Sequence, residues 1–304
     1  MLYFILARPK FMFYSLVMHL IGTIEAYKQN NHIDWYIFIL FQFTITITHI
    51  MTHFYNEYGD YEADKQNKKD GTWTGGSKIL KHNKLHKNVA LQLGIIFTIL
   101  SIICGIITII RIFMVYNDYM IFIKFIFYGL SVLFTSIAYS IEPYKLAYNS
   151  LGELIVSYVL TFATPIMGCI VQNGTITIQL IYILIPLFIN NAIRMIVMNI
   201  PDKDGDKKAG KITSVVLLEE EKSIQLINVI YLINYIYIIP NLQLHNYIKY
   251  AYLSILPLRW WQSLRLNKDK WWDEKYYYDS IPFVESLTVL FTGIAITIGS
   301  YLSL

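Results

Sequence analysis

The stretch NEYGDYEAD, residues 56–64, lies between two long apolar runs and decides how the chain is read. It spaces Asn56, Asp60 and Asp64 four apart, where the preceding hydrophobic segment, ending near Tyr55, is expected to run on as helix. On a helix, positions i, i+4 and i+8 drift by only about 40° per step, so the three side chains keep one face over about 12 Å of axis. Carboxylates at the lip of a membrane are expensive, and that cost marks them as a candidate site.

The surrounding sequence supplies the membrane. Of 304 residues, 55% are hydrophobic and 15% charged, with a mean hydropathy of +0.44. Soluble domains carry about 25% charged residues. Apolar runs of about 20 residues, the length that crosses a bilayer's hydrocarbon, recur at roughly 11–29, 35–55, 88–112, 118–139, 151–171, 176–199, 214–239, 246–264 and 281–303. The pattern predicts an all-α polytopic membrane protein of nine spans, with residues 1–304 as a single domain. Arg8 and Lys10 precede the first run, but no small-residue cleavage site follows it, so that run is read as a membrane helix and not as a signal peptide.

Charge placement gives an orientation. With the N-terminus inside, the cytoplasmic joints collect Arg8, Lys10, Lys145, Arg265, the lysines from 65 to 87, those from 203 to 222, and Lys268, Lys270 and Lys275. The opposite side has Lys28, Arg111 and Lys249, nineteen against three, which is a strong positive-inside bias. Cys104 and Cys169 lie within apolar runs and suggest neither a disulfide framework nor a thiolate metal site. Trp260, Trp261, Trp271 and Trp272 cluster near one boundary and are expected to anchor at the interface.

A second acidic stretch, NIPDKDGDKKAGKIT at 199–213, sets Asp202 and Asp206 four apart, and Pro201 is placed to break the sixth span. The topology puts both clusters at one membrane face, although neither was used to assign it. Two facing sets of carboxylates without thiols suit a hard divalent cation. Mg²⁺ takes oxygen ligands and bridges carboxylates to substrate phosphates. Asn56, Asp60, Asp64, Asp202 and Asp206 are therefore the candidate ligands. Lys65 after the first cluster, and Lys207 and Lys211 after the second, are candidate partners for phosphate oxygens. TGGSK, residues 74–78, adds Lys78 and flexible glycine amides. Arg194, inside the sixth span, is expected to line a polar cavity and is a further candidate for diphosphate binding, and Asn191 on the same face is a cavity candidate. His49 and His53, four apart, are read as cavity lining or local hydrogen-bonding residues and not as a metal site.

The paired motifs Asn56-x3-Asp60-x3-Asp64 and Asp202-x3-Asp206 resemble those of the UbiA superfamily of membrane prenyltransferases. The likeness extends to RPK at 8–10, YSIEPYKLAYNSLGELIV at 139–156 and DKKAGKIT at 206–213, and it fades beyond about residue 216. NEYGDY and GELIV look most like the 1,4-dihydroxy-2-naphthoate (menaquinone-type) branch, although Glu57 stands where that branch usually has Asp. The resemblance implies nine helices around a central cavity open to the cytoplasmic face of the cell membrane. It implies Mg²⁺-dependent transfer of an isoprenoid chain from an allylic diphosphate to an aromatic, quinone-precursor acceptor. It also implies that Tyr139 and Lys145 contact diphosphate, with Arg8 and His53 as further cavity candidates. A terpene cyclase of the same superfamily, ionising the diphosphate without an acceptor, is the nearest alternative. An ion-coupled transporter is the alternative of another class. No nucleic-acid partner is expected, and oligomeric state is open.

Overall fold

The computed structural model describes residues 1–304. Its helices in chain order are α1 (Leu2–Leu6), α2 (Met12–Asn30), α3 (Trp35–Gly59), α4 (Tyr61–Gln66), α5 (Lys87–Tyr116) and α6 (Tyr119–Ser140). They continue with α7 (Gly152–Val171), α8 (Ile178–Asn199), α9 (Lys203–Lys208), α10 (Ser214–Asn241), α11 (Asn246–Leu253), α12 (Leu256–Leu266) and α13 (Lys275–Leu302). There are no strands beyond one isolated bridge, Asn149 to Ile212.

Polar residues at the edges of the apolar runs start and stop these helices. Asp34 accepts a hydrogen bond from the Ile37 amide at 2.9 Å and opens α3. Thr177 does the same for Leu180 at 3.1 Å and opens α8. Such caps satisfy amides that have no partner within the helix. Asn31 and Asn117 close α2 and α5 in the left-handed conformation that asparagine tolerates.

Seven helices, α3, α5, α6, α7, α8, α10 and α13, are long and apolar enough to cross a membrane. The first and eighth of the nine expected segments differ from these. Segment 11–29 forms α2, whose mean hydropathy is lowered by Glu25, Lys28 and neighbouring amides. Segment 246–264 is not one rod but two short helices, α11 and α12. The break falls at Ser254–Ile255, just ahead of Pro257, which has no amide hydrogen to continue the ladder.

Close helix crossings depend on small residues, as expected where lipid offers no hydrophobic drive. A Cβ on Gly22 of α2 would lie 1.8 Å from the Pro165 carbonyl oxygen of α7, and one on Gly168 would lie 2.7 Å from the His19 carbonyl oxygen. The two backbones are therefore in contact. Elsewhere a buried polar triad joins three helices: Tyr231 of α10 donates to Glu285 of α13 at 2.6 Å, and Arg259 of α12 pairs with the same carboxylate. Trp271 and Trp272 are buried in the core, which corrects their reading as interfacial anchors. Only Trp260 and Trp261 remain exposed.

Candidate active site

The acidic motifs sit where long helices give way to short ones. Helix α3 does not run straight through the first motif. It stops at Gly59, whose missing side chain lets the Ser140 carbonyl oxygen of α6 approach to 2.6 Å from where a Cβ would be. Asp60 caps α3, and α4 restarts at Tyr61. The i, i+4 bonds survive the kink: Asp60 N donates to Asn56 O at 2.9 Å and Asp64 N to Asp60 O at 2.8 Å. The single continuous helix expected from the spacing is thus a kinked pair. In the second motif, α8 ends at Asn199, a turn holds Pro201, and Asp202 caps α9.

Helices α4 and α9 pack directly against each other, and Gly205 permits it. A Cβ there would lie 2.8 Å from Asn67 Cβ and 2.9 Å from the Ala63 carbonyl oxygen. This crossing brings the two motifs onto one rim. Lys211 Nζ lies between them, 3.1 Å from Asp60 Oδ2 and 3.5 Å from Asp206 Oδ1. Asn56 also donates to Asp60 Oδ2, at 2.8 Å. Asp202 accepts from Asn67 Nδ2 at 2.6 Å and from the Gly75 amide at 2.9 Å. The second oxygen of Asp206 is buried without a hydrogen-bond partner.

The rim is electrostatically crowded. Burial pushes the Asp206 carboxyl up to about 7, with Asp202 and Asp60 adding to the effect against Lys211. Burial also lifts Asp64 well above the usual carboxylate range, helped by Asp60 and Glu57 and opposed by Arg8. Burial lowers Lys78, while Asp202 and Asp64 partly restore it. Carboxylates this close hold protons unless a cation replaces them.

Three left-handed residues, Gly75, Gly76 and Lys78, fold the TGGSK loop over this rim. Lys78 Nζ is drawn back onto the Thr74 and Gly75 carbonyls at 2.8 and 2.7 Å. Glu57, the departure from the motif pattern, is fully used. It accepts from Arg8 Nε at 2.6 Å, from the Ser77 amide at 2.6 Å and from Ser77 Oγ at 2.7 Å. It therefore fastens the N-terminal arginine to the loop, with a longer reach than Asp has. A second clasp comes from residues 148–150: the Ser150 amide donates to Ile212 O at 2.7 Å and the Ile212 amide to Tyr148 O at 3.1 Å. Buried Glu153 accepts from Asn199 at 3.0 Å and caps Ser214 at 3.0 Å. Together these contacts hold Lys211 in place.

Below the rim lies a cavity of about 690 Å³, lined mainly by apolar side chains of α3, α5, α6 and α7. Arg8, Asn56, His53, Tyr139 and Arg194 all line it. A π-helical turn at Val159–Ala163 widens α7 beside it. Such turns gather at functional sites.

The structure divides the candidates from the sequence. Asn56, Asp60, Asp64, Asp202, Asp206, Lys78, Lys211 and Arg8 gather at the rim. Tyr139, His53 and Arg194 are in the cavity wall. Asn191 does not line the cavity. It is buried between α8 and α7 and donates to Ser157 Oγ at 3.1 Å. Lys207 is exposed beside Glu219 at 3.4 Å, and Lys65 is exposed over the Tyr61 ring. Lys145 stacks on the Tyr148 ring at 3.9 Å. Sequence reasoning missed Asn67, Tyr148 and Glu153 as individual residues, which carry no spacing signal because distant segments bring them in. Glu57 was visible only as an anomaly.

No three His, Cys, Asp or Glu side chains converge on one metal-sized point. The donor set still fits a hard cation shared with a phosphate, which Mg²⁺ prefers to an all-protein cage. All the donors are oxygens, one buried carboxylate oxygen has no partner, and a lysine ammonium already stands as the cation between the motifs.

A family model described as the UbiA prenyltransferase family matches residues 15–281. The curated 1,4-dihydroxy-2-naphthoate octaprenyltransferase of Bacillus subtilis (strain 168) is 25% identical over 234 residues, covering 77% of this chain and 71% of the relative. A solved UbiA homolog from Archaeoglobus fulgidus, bound to DMAPP and Mg²⁺, superposes with a TM-score of 0.64 at 16% identity, covering 98% of this chain and 100% of that one. A digeranylgeranylglyceryl phosphate synthase structure gives a TM-score of 0.59 at 19% identity over 99% and 98% of the two chains. These structural likenesses establish the shared fold.

Proposed function

The chain belongs to the UbiA prenyltransferase family, and from that premise we propose that it moves an isoprenoid chain from an allylic diphosphate to an aromatic acceptor in a Mg²⁺-dependent reaction. The observation that carries this reading is the meeting of both acidic motifs, joined through Lys211, at the mouth of an apolar cavity. The naphthoate relative supports the aromatic acceptor, and the A. fulgidus homolog supports an isoprenyl diphosphate with Mg²⁺.

Asp60, Asp64, Asp202 and Asp206, assisted by Asn56, would hold the metal. Bound there, Mg²⁺ neutralises the charge that grows on diphosphate as it leaves. Lys78, Lys211 and Arg8 face the same rim and supply charge-assisted hydrogen bonds to phosphate oxygens. Lys78 is held only by two carbonyls and can turn towards a phosphate. The cavity receives the hydrocarbon chain and keeps water from the allylic cation. Aromatic faces such as Phe11, Phe41 and Phe125 stabilise that positive charge.

We read residues 1–304 as one domain of nine crossings, α2 and the α11–α12 pair completing the seven strongly apolar helices. The acidic rim then faces the cytoplasm of a cell membrane, as the lysine and arginine bias requires. Family membership sets the ion-coupled transporter aside.

Product mass spectrometry tests the reading. Purified protein is given prenyl diphosphates of several lengths, with and without a panel of aromatic acceptors, in Mg²⁺ or in EDTA. A prenylated ring is the expected product, and only with Mg²⁺. A cyclised hydrocarbon formed without acceptor would replace the transferase by the cyclase. Full turnover in excess EDTA would refute the metal's role.

A further inference from the structure

Two histidines, His49 and His53, stand one turn apart on α3, and both line the cavity below the rim. Their rings lie 4.8 Å apart with planes tilted by 31°, and the Phe11 ring is 5.7 Å from that of His53. His49 Nδ1 and His53 Nε2 are buried without a hydrogen-bond partner. His19 of α2 shows how a packing histidine is held in this protein. Its Nδ1 meets Gln42 Oε1 at 3.0 Å, its ring stacks on Phe38 at 4.4 Å, and it does not line the cavity. Neither His49 nor His53 has such an amide partner.

The rest of the polar lining leaves proton chemistry to this pair. No Asp or Glu lines the cavity. Thr44, Thr48 and Thr52 donate back to carbonyls of α3 at 3.1, 2.9 and 2.9 Å. Arg8 is paired with Glu57, whereas Arg194 has no carboxylate partner, and a guanidinium accepts no proton in either case. An imidazole is the side chain that takes and returns a proton near neutral pH. His49 precedes Asn56 by seven residues, about 10 Å of helix axis, which leaves room for an aromatic ring between it and the rim.

We infer that His49 is the general base of the transfer, taking the proton of a ring hydroxyl as the ring attacks the allylic cation. The inference rests on the transferase reading and adds a group that the rim does not supply, since the rim carboxylates are those that would hold the metal. The donor's C–O bond breaks, and its electron pair leaves with diphosphate. A ring carbon forms the new C–C bond while the hydroxyl proton passes to His49, leaving a ring ketone and an imidazolium. The alkylated carbon then loses its hydrogen as a proton to water at the cavity mouth. Its bonding pair restores the aromatic ring, and the oxygen recovers its proton from His49. His53, whose ring lies against that of His49, limits the orientations open to the base.

The test uses the full chain with Mg²⁺ and a fixed prenyl diphosphate, and compares a hydroxynaphthalene with its methyl ether, which has no hydroxyl proton to give. The wild type is expected to alkylate the hydroxyl compound faster. His49→Gln is expected to lower kcat for that compound by about a hundred-fold, the low end for losing a general base, and to change turnover of the ether far less. With the hydroxyl compound, diphosphate released per ring alkylated should rise in the variant, because the cation still forms and is lost to water or elimination. His49→Asn carries the test if the glutamine variant does not fold. The inference is overturned if the variant alkylates the hydroxyl compound at the wild-type rate, if it slows both rings equally, or if diphosphate per alkylated ring stays at the wild-type value. A wild type that releases diphosphate yet alkylates neither ring sinks the transferase reading itself. A wild type and variant that alkylate the hydroxyl compound equally well sink only the His49 assignment.

Discussion

Replacing Lys211 by Met removes the one cation that joins the two acidic motifs and leaves the hydrocarbon stem nearly unchanged. Lys211 Nζ is 3.1 Å from Asp60 and 3.5 Å from Asp206, and the three side chains are 10%, 12% and 4% exposed. At an effective dielectric of about 20, each contact is worth about 5 kcal/mol when its carboxylate is ionised, before desolvation is subtracted. Removing one partner from a buried pair costs about 3–5 kcal/mol net. In detergent and EDTA, the variant should therefore unfold roughly 5–10 °C below the wild type. Mg²⁺ should restore more of that loss than it adds to the wild type, because the variant's carboxylates have lost their own counter-charge. Thermal unfolding followed by tryptophan fluorescence, with Mg²⁺ titrated, measures both effects. Equal Tm values in EDTA, or identical Mg²⁺ responses in the two proteins, would refute the account of the rim as a carboxylate cluster in need of a cation.

Three further outcomes follow from the same geometry. Asp60→Asn or Asp202→Asn should lower product formation by about a hundred-fold or more, as losing a main electrostatic stabiliser of a leaving group does; wild-type rates in both variants would remove these residues from the reaction. Gly205→Val should force α9 away from α4, since its Cβ alone would stand 2.8 Å from Asn67 Cβ, and should abolish the Mg²⁺-induced rise in Tm although every carboxylate remains; a normal rise would show that the crossing is not what assembles the rim. The pH dependence has a definite sign. The Asp206 carboxyl is raised to about 7 in the fold, against about 4 when unfolded, so metal-free stability should fall as pH rises between those values. Mg²⁺ competes with that proton, so its stabilising effect should be larger at pH 8 than at pH 6; the reverse order would contradict the burial of Asp206.

Much of the site was legible along the chain because helical spacing is local. Asn56, Asp60 and Asp64, like Asp202 and Asp206, could be placed on helix faces by counting, and the lysine bias along the chain put both sets at one end. Counting failed where backbone contact intervened. Gly59 against Ser140 turns the first motif into a kinked pair of helices, and Ser254–Ile255 breaks a segment that hydropathy reads as continuous. It also failed for Asn191, which shares a helix with Arg194 but packs against Ser157 and not into the cavity. For Trp271 and Trp272, composition pointed to the interface while tertiary packing drew them into the core.

The sequence alone determined the apolar, all-helical class and the candidate carboxylates, since apolar run length, charge bias and carboxylate spacing are properties of neighbouring residues. Tertiary structure decided everything that depends on residues far apart in the chain. It set Lys211 between Asp60 and Asp206, folded the TGGSK loop onto Asp202, gave Glu57 the task of holding Arg8, and left Arg194 in the cavity wall without a counter-charge. The physical reason is that coulombic and hydrogen-bonding terms fall off over ångströms in space, and distance along a chain does not report them once helices have packed.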